Sequence, residues 1–280
     1  MPPFDLDTIL STERELMNRF AVTFETNPLF TSYFYEHERR RFISWVLEVM
    51  RLGGMDARTA SILETGQSAG GNFALLEQAG CQRLTGMDIA EEMINEARRR
   101  VPQARYIHGA IERHDFGNER FDVILAKFTL HHMYDARAFF SLVDRVLAPG
   151  GWFFICEYNA AGWSNAHWTK PVIETLVAPV RRTLKWKNRK KLCIASCPAA
   201  RFNPAHRLLT YPEILAAMPS RENYSFLRRT RGVFLPAFNY AIVESSAFDR
   251  GLYRVLDTVD RIAEPFKAGN LQWIAGKRLA

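Results

Sequence analysis

The chain has 280 residues, 48% of them hydrophobic and 24% charged, and a formal net charge of +7. No stretch approaches the roughly 18 consecutive apolar residues of a membrane span, and the opening MPPFDLDTILSTERE places acids where a signal peptide carries bases. The four cysteines, Cys81, Cys156, Cys193 and Cys197, form neither a C-x-x-C pair nor a zinc spacing, so a reduced, cytoplasmic setting is expected rather than a disulfide framework.

Residues 1–55 read as a helical cap. TILSTERELMNRFAVTF carries Ile9, Leu10, Leu16, Met17 and Phe20 near helical spacing. RRRFISWVLEVMRLGG is a second helix stopped by Gly53 and Gly54. Between them lies an aromatic group of Phe30, Tyr33, Phe34 and Tyr35. Its plain reading is core, and its functional one is a lid over an apolar acceptor through Tyr33 and Phe34.

From residue 56 to 159 the rhythm changes to short apolar runs alternating with helices. ASILET, RLTGMDI, ARYIHGA, RFDVILAKF and WFFICEY are strands. GNFALLEQAG, AEEMINEARRRV and DARAFFSLVDRVL are the helices between them, and APGG is a turn. Glu91 and Glu92 at the start of the second of these helices and Arg98, Arg99 and Arg100 at its end oppose the helix dipole. This alternation predicts an α/β fold with a mostly parallel sheet covered on both faces.

Residues 160–210 form an insertion after the fifth strand, rich in Trp and basic residues. One helix is expected around KPVIETLVAPVRRTL, with Pro179 ending or kinking it. The segment Arg181–Lys191 holds seven basic residues and no acid, a stretch suited to an anionic partner or membrane surface, or to a plain solvated face. Residues 211–280 complete the sheet: YPEILAAM is a short helix, YSFLRRT a sixth strand, AFDRGLYRVLDTVDRIAEPF a helix and NLQWIAGKR the seventh strand.

The chemistry gathers where the first two strands end. ILETGQSAGGN, residues 62–72, runs from an apolar strand through Glu64 and Gly66 to Gly70 and Gly71 at a helix start. The second strand ends at Asp88, 22 residues after Gly66. In an open parallel sheet that is the ligand crevice, and an acid there can accept both hydroxyls of a ribose. The pattern points to an adenosine-containing ligand. A pyrophosphate is disfavoured, because Ser68 occupies the place of the middle glycine and Glu64 would repel it.

At these residues the chain resembles the class I S-adenosylmethionine-dependent methyltransferases. ILETGQSAG is similar to their first motif, GMDIAEEMINEA to the second, FDVILAKFTLHHMYD to the fourth, and FFSLVDRVLAPGGWFFICEYN to the helix, turn and strand that follow. The resemblance covers about Ser61 to Tyr158 and implies a Rossmann-like, doubly wound, seven-stranded sheet with S-adenosylmethionine as cofactor. It implies that Glu64 faces the methionine amino group, that Gly66 lets the backbone pass close, that Asp88 holds the ribose, and that Lys127 lies beside the methionine moiety. Thr65, Gln67, Gly70 and Ile89 join the same set. Two departures stand out: Ser68 replaces a glycine, and Ala110 replaces the acid that binds adenine. Adenine recognition then falls to a backbone amide, to Ile111 or to Glu112.

His132, His131 and Glu157 lie on the same rim as candidates for a base or an orienting group, each with a packing role as the plain alternative. His167 and Trp168 are further substrate-side candidates in the insertion. Nothing near LAKFTLHH supplies a carboxylate cluster, so no metal is expected. The reading is methyl transfer to a small, apolar or aromatic acceptor. A nucleic-acid methyltransferase would carry Pro-Pro-aromatic where FTLHHMYD stands. A cyclase, an isomerase or a binding protein on the same fold is the alternative that Ser68 and Ala110 raise, and an oxidoreductase is disfavoured by Glu64 and Ser68.

Overall fold

A computed structural model describes residues 5–23, 33–162, 207–232, 247–266 and 269–279, with positions 175, 178, 179 and 182. Two helices come first, α1 (Leu6–Thr23) and α2 (Tyr33–Leu52). The alternating part follows as β1 (Ser61–Thr65), α3 (Gly71–Gln78), β2 (Arg83–Asp88), α4 (Glu91–Arg100), β3 (Arg105–His108), β4 (Phe121–Lys127), α5 (Ala136–Val146) and β5 (Leu147–Tyr158). The last part holds α6 (Tyr211–Ala216), β6 (Tyr224–Arg231), α7 (Ala247–Ala263) and β7 (Leu271–Arg278).

The seven strands form one sheet in the order β3-β2-β1-β4-β5-β7-β6. All neighbours are parallel except those of β7, which runs antiparallel to both β5 and β6. The mostly parallel sheet expected from the alternation is therefore present, with one reversed strand inserted near its edge. The APGG segment differs from a free turn. It lies within β5, where Phe121 pairs with Leu147 and Val123 already pairs with Trp152, so the extra residues bulge out of the ladder.

The strands read as continuous apolar runs because both faces are covered. Successive side chains alternate between faces. Ile62, Val123, Leu125 and Phe154 face one core cluster, with α2 and α3. Leu63, Ile124, Ala126, Phe153 and Ile155 face the other, with α5 and α6. On α2 the buried positions Phe42, Trp45, Val46, Val49 and Met50 follow the helical period and pack on Trp152, Phe154 and Trp273. Each such side chain contributes about 1.5–3 kcal/mol by leaving water. Helix α1 instead lies across the strand ends, where Phe20 and Ala21 pack on Ala69, Ala90 and Met93. The order reverses between β1 and β4, so their C-terminal ends open the crevice in which such sheets bind ligands.

Candidate active site

The loop after β1 is held from both sides. The Gly66 N–H donates to the Met87 carbonyl at 2.7 Å. The Thr129 hydroxyl donates to the Thr65 carbonyl at 3.0 Å, and the Thr65 hydroxyl to the Leu125 carbonyl at 3.2 Å. Thr65 thus ties strands together. Gly66 has φ +65°, and a Cβ there would stand 2.6 Å from the Thr129 hydroxyl, so only glycine fits. Gly70 begins α3.

Ser68 is left-handed as well, at φ 52°. A serine with ordinary backbone angles would have needed no local support, but this one is held by its N–H, which donates to Asp88 Oδ2 at 2.9 Å. The Ala90 N–H donates to Asp88 Oδ1 at 2.9 Å. Asp88 is buried, which raises its pKa against the pull of those two N–H groups. Among the described residues one other non-glycine has positive φ: Phe128, at 55°, directly after β4. Both strained residues flank the crevice, where strain of this kind collects at functional sites.

Glu64 ends the buried face of β1 and is 1% exposed. Its Oε1 accepts from the Asn72 amide, while Oε2 finds no hydrogen-bond partner among the described residues. Burial pushes this carboxyl up to about 8, against the Asn72 amide and the Lys127 ammonium. Gln67 is equally buried, and neither end of its amide has a partner among the described residues. Lys127, at the end of β4, lies with Nζ 4.3 Å from the Tyr35 ring centre and 4.1 Å from that of Phe128. Arg39 of α2 covers Gly71 and stacks on Tyr35 at 4.9 Å. Burial alone would raise the Tyr35 phenol, but Lys127 and Arg39 outweigh it and lower its pKa.

The rim beyond is aromatic. Phe128 and Tyr158 stack at 4.8 Å, and His131 meets Tyr158 edge-on at 5.4 Å. His131 is buried, with Nδ1 2.7 Å from Glu157 Oε2. Glu157 also accepts from the Leu130 N–H at 3.0 Å and from the Tyr158 N–H at 3.2 Å. Burial pushes Glu157 up, but His131 and the backbone donors hold it below the usual carboxylate range, while burial lowers His131. A neutral imidazole donating to an ionised carboxylate fits both directions. His132 turns the other way. Its Nδ1 lies 2.8 Å from Oε1 of Glu13, a buried acid on α1. Burial alone would lower His132, but Glu13 outweighs it and raises its pKa.

At the end of β3, Ala110 supplies only backbone, accepting from the Arg113 and His114 N–H groups. Ile111 packs into the core beside Leu63 and Met87. Ile89 is half-buried, and its carbonyl lies 3.1 Å from His108 Nε2. The Glu112 carboxyl is raised by burial, against backbone donors that include Tyr134. A groove of about 390 Å³ runs beside the Leu130–Tyr134 loop, bounded by Arg207, Leu209 and Glu213, and touches neither the 66–70 loop nor Asp88. Of the remaining sequence candidates, His167, Trp168 and nearly all of Arg181–Lys191 lie outside the described residues. Tyr33 and Phe34 open α2, but their side chains are also outside what is described.

The sequence reading therefore brings Glu64, Gly66, Gln67, Asp88 and Lys127 to one crevice. It missed Glu13, Arg39, Asn72 and Phe128. Asn72 could have been found by its place in the first turn of α3, facing back toward Glu64. Nothing local marked the others.

Residues 63–155 match the family model described as a methyltransferase domain. This core carries a methyltransferase domain, and the likeness to the class I S-adenosylmethionine-dependent methyltransferases rests on it. It is 27% identical over 148 residues to a demethylmenaquinone methyltransferase of Tropheryma whipplei (strain Twist), which covers 52% of this chain and 59% of that one. An uncharacterized methyltransferase of Synechocystis sp. is 34% identical over 91 residues, 31% of this chain and 42% of its own. The chain thus spans about half the length of the curated relatives it matches, 59% of the first and 42% of the second. In fold, the methyltransferase core and its added elements resemble an S-adenosylmethionine-dependent methyltransferase of Thermotoga maritima, with a TM-score of 0.59 and 16% identity over 95% of this chain and 99% of that one. The N-methyltransferase NodS of Bradyrhizobium japonicum, solved with S-adenosyl-L-homocysteine, gives 0.56 and 14% over 96% and 98%.

Proposed function

We propose that the protein transfers a methyl group from S-adenosylmethionine to a small apolar or aromatic acceptor. The observation that carries this reading is Glu64. A buried carboxyl with one oxygen unmatched is costly, and a cationic amino group beside Oε2 would restore it to the ionised form. The residues present fit the cofactor. Glu64 would take its ammonium, Asp88 its ribose hydroxyls, and the backbone of the 66–70 loop would lie along it. When bound, the cofactor supplies an electrophilic methyl on a sulfonium. The chain's own residues must then align the acceptor and shed water.

The acceptor class rests on the aromatic rim. Phe128, Tyr158 and Tyr35 offer ring faces beside the buried ammonium of Lys127. The relatives named demethylmenaquinone methyltransferases carry a quinone-type acceptor in their name, which agrees with an apolar ring.

His131 and Glu157 bind each other and pin the Leu130 turn to β5. His132 binds Glu13 and so fastens α1 over the crevice. A base at His132 would need a neutral imidazole, and Glu13 favours the charged form. We therefore read all three as positioning residues, with methyl transfer resting on alignment. Titration calorimetry of the full chain is the test. S-adenosylmethionine and S-adenosylhomocysteine should bind and NAD should not. Asp88→Ala should weaken binding at least tenfold, because each charge-assisted hydrogen bond is worth about 1.5–3 kcal/mol. Binding of NAD alone would overturn the reading. His132→Gln should lower the melting temperature and cofactor affinity and leave saturated turnover within a few-fold. A loss of about 10²-fold or more in turnover at unchanged melting temperature would instead make His132 a general base.

A further inference from the structure

Helix α1 carries an acid in the middle of its buried face. Ile9, Glu13, Phe20 and Ala21 are buried along one stripe, and only Glu13 among them bears a charge. A buried carboxyl is costly unless donors meet it, so its place needs a reason. Three contacts fix that place. Near the start of α1, Asp7 bridges to Arg113 in the turn after β3. Further along, the Asn18 side chain accepts from the Glu92 N–H at 3.1 Å, at the start of α4 and just after β2. Glu13 itself lies 2.8 Å from His132, in the turn after β4. Between its two anchors, Glu13 is thus held over the carboxyl ends of β2 and β3.

The strand order β3-β2-β1 gives that place a meaning. With the ribose on Asp88 of β2 and the ammonium on Glu64 of β1, the methionine chain of the cofactor runs toward β1. A nucleoside carries its base at C1′ and its 5′ substituent at C4′, on opposite sides of the sugar. The base then falls on the β3 side, beneath α1. A buried adenine brings an amino group whose N–H donors need an acceptor. The Ala110 carbonyl already accepts from the Arg113 and His114 N–H groups at 3.1 and 3.0 Å. The Glu112 carboxyl accepts from its own backbone and from that of Tyr134. Glu13 faces a histidine instead, and a carboxylate can accept several hydrogen bonds at once. Its charge reaches both neighbours: burial raises Asp88 and Glu112, and Glu13 raises each further.

We propose that Glu13 reads the adenine of the cofactor, its carboxylate accepting from the exocyclic amino group. This is the role for which Ala110 has no side chain to offer. The inference rests on the cofactor reading above and adds a specificity residue to it. His132 is then the positioning residue that keeps Glu13 ionised and aimed.

The test is titration calorimetry of the full chain with two ligands. One is S-adenosylhomocysteine, and the other is its analogue with hydrogen in place of the 6-amino group of the base. The wild type should prefer the amino ligand at least about tenfold, the loss of one charge-assisted hydrogen bond. Glu13→Gln keeps a neutral acceptor and should retain part of that preference. Glu13→Met suits a buried helix face, has no such acceptor, and should lose the preference. Glu112→Gln should keep it. A ratio of affinities separates recognition from support, because a Glu13 that only holds α1 in place would change both affinities together. The proposal is overturned if Glu13→Met weakens both ligands with the preference intact, or if Glu112→Gln is the variant that loses it. A wild type that binds both ligands equally overturns it too and leaves the cofactor reading standing. If the wild type binds neither, the cofactor reading falls and this inference with it.

Discussion

Two buried carboxylates of this chain have moved in opposite directions. Asp257, at the junction of α2, α7 and β6, is 5% exposed, and its pKa is held down to about 2. Glu64, at the end of β1, is 1% exposed, and its pKa is pushed up to about 8. Burial raises both, so burial does not make the difference. Asp257 meets three arginines, whereas Glu64 meets one amide and keeps an oxygen without a partner among the described residues. The number of donors decides the charge. A buried acid with its donors built in belongs to the fold, and the missing donor at Glu64 is what the proposed cofactor would supply.

Breaking the first of these should have the largest effect. Asp257→Ala leaves Arg41, Arg231 and Arg261 facing one another without their common acid. Losing one partner of a buried ion pair costs about 3–5 kcal/mol, with some relief here because Arg261 reaches water. The expected result is a melting temperature lower by roughly 5–15 °C, with cofactor affinity of the folded protein retained. The sign with pH follows from the depressed pKa. Asp257 contributes its stability above its unfolded value near 4, and that contribution is lost as pH falls through about 2. Acid unfolding of the variant should therefore be shallower. An unchanged melting temperature in chemical and thermal unfolding would show that the junction holds nothing together.

Glu64→Gln should have a smaller effect with the opposite sign. The folded pKa of Glu64 lies above its unfolded value, so the folded state binds the extra proton. Stability is fully present below the unfolded value near 4.5 and declines as pH rises toward about 8. Glutamine removes that decline. Without ligand, the variant should match the wild type at acid pH and melt above it at pH 8, by a few degrees. Its affinity for S-adenosylmethionine should fall at least tenfold, the loss of one charge-assisted contact. Melting curves across pH, with and without cofactor, check both halves. A variant that melts lower at pH 8 would mean that Glu64 is already ionised by a donor of the chain itself.

Much of the crevice was legible because parallel strands buried on both faces are short apolar runs, and the first polar residue after each run marks its C-terminal end. Glu64 and Asp88 were found in this way, and Lys127 came from the family resemblance at the end of the fourth strand. What stayed hidden lay across the sequence. Glu13 meets His132 from 119 positions away, and Arg39 covers Gly71 from another helix. No local period records such pairings. Helix α7 shows a different limit. Its apolar stripe of Val255, Val259 and Ile262 is plain in the sequence and exposed in the structure, yet hydrophobic period alone points that stripe inward. Only the arginines of α2 and β6 explain why the acidic face turns in instead.

Ser68 is the smallest and sharpest test of the crevice. The sequence raised the question whether a serine can stand where a glycine is expected, and the backbone answers with φ 52°. A left-handed conformation costs a non-glycine residue about 1–2 kcal/mol. Glycine avoids that cost but gives the unfolded chain about 0.5–1 kcal/mol more conformational freedom to lose. The balance predicts that Ser68→Gly stabilises the fold by up to about 1 kcal/mol. The N–H to Asp88 survives the change, so cofactor affinity should stay within a few-fold. Ser68→Ala keeps the strain and removes only the weak 3.5 Å contact from the hydroxyl to Met93 Sδ, so it should stay close to wild type. Denaturant unfolding of the two variants separates backbone from side chain. If Ser68→Gly is the less stable of the pair, the hydroxyl matters more than the backbone angle, and the serine is there for its side chain.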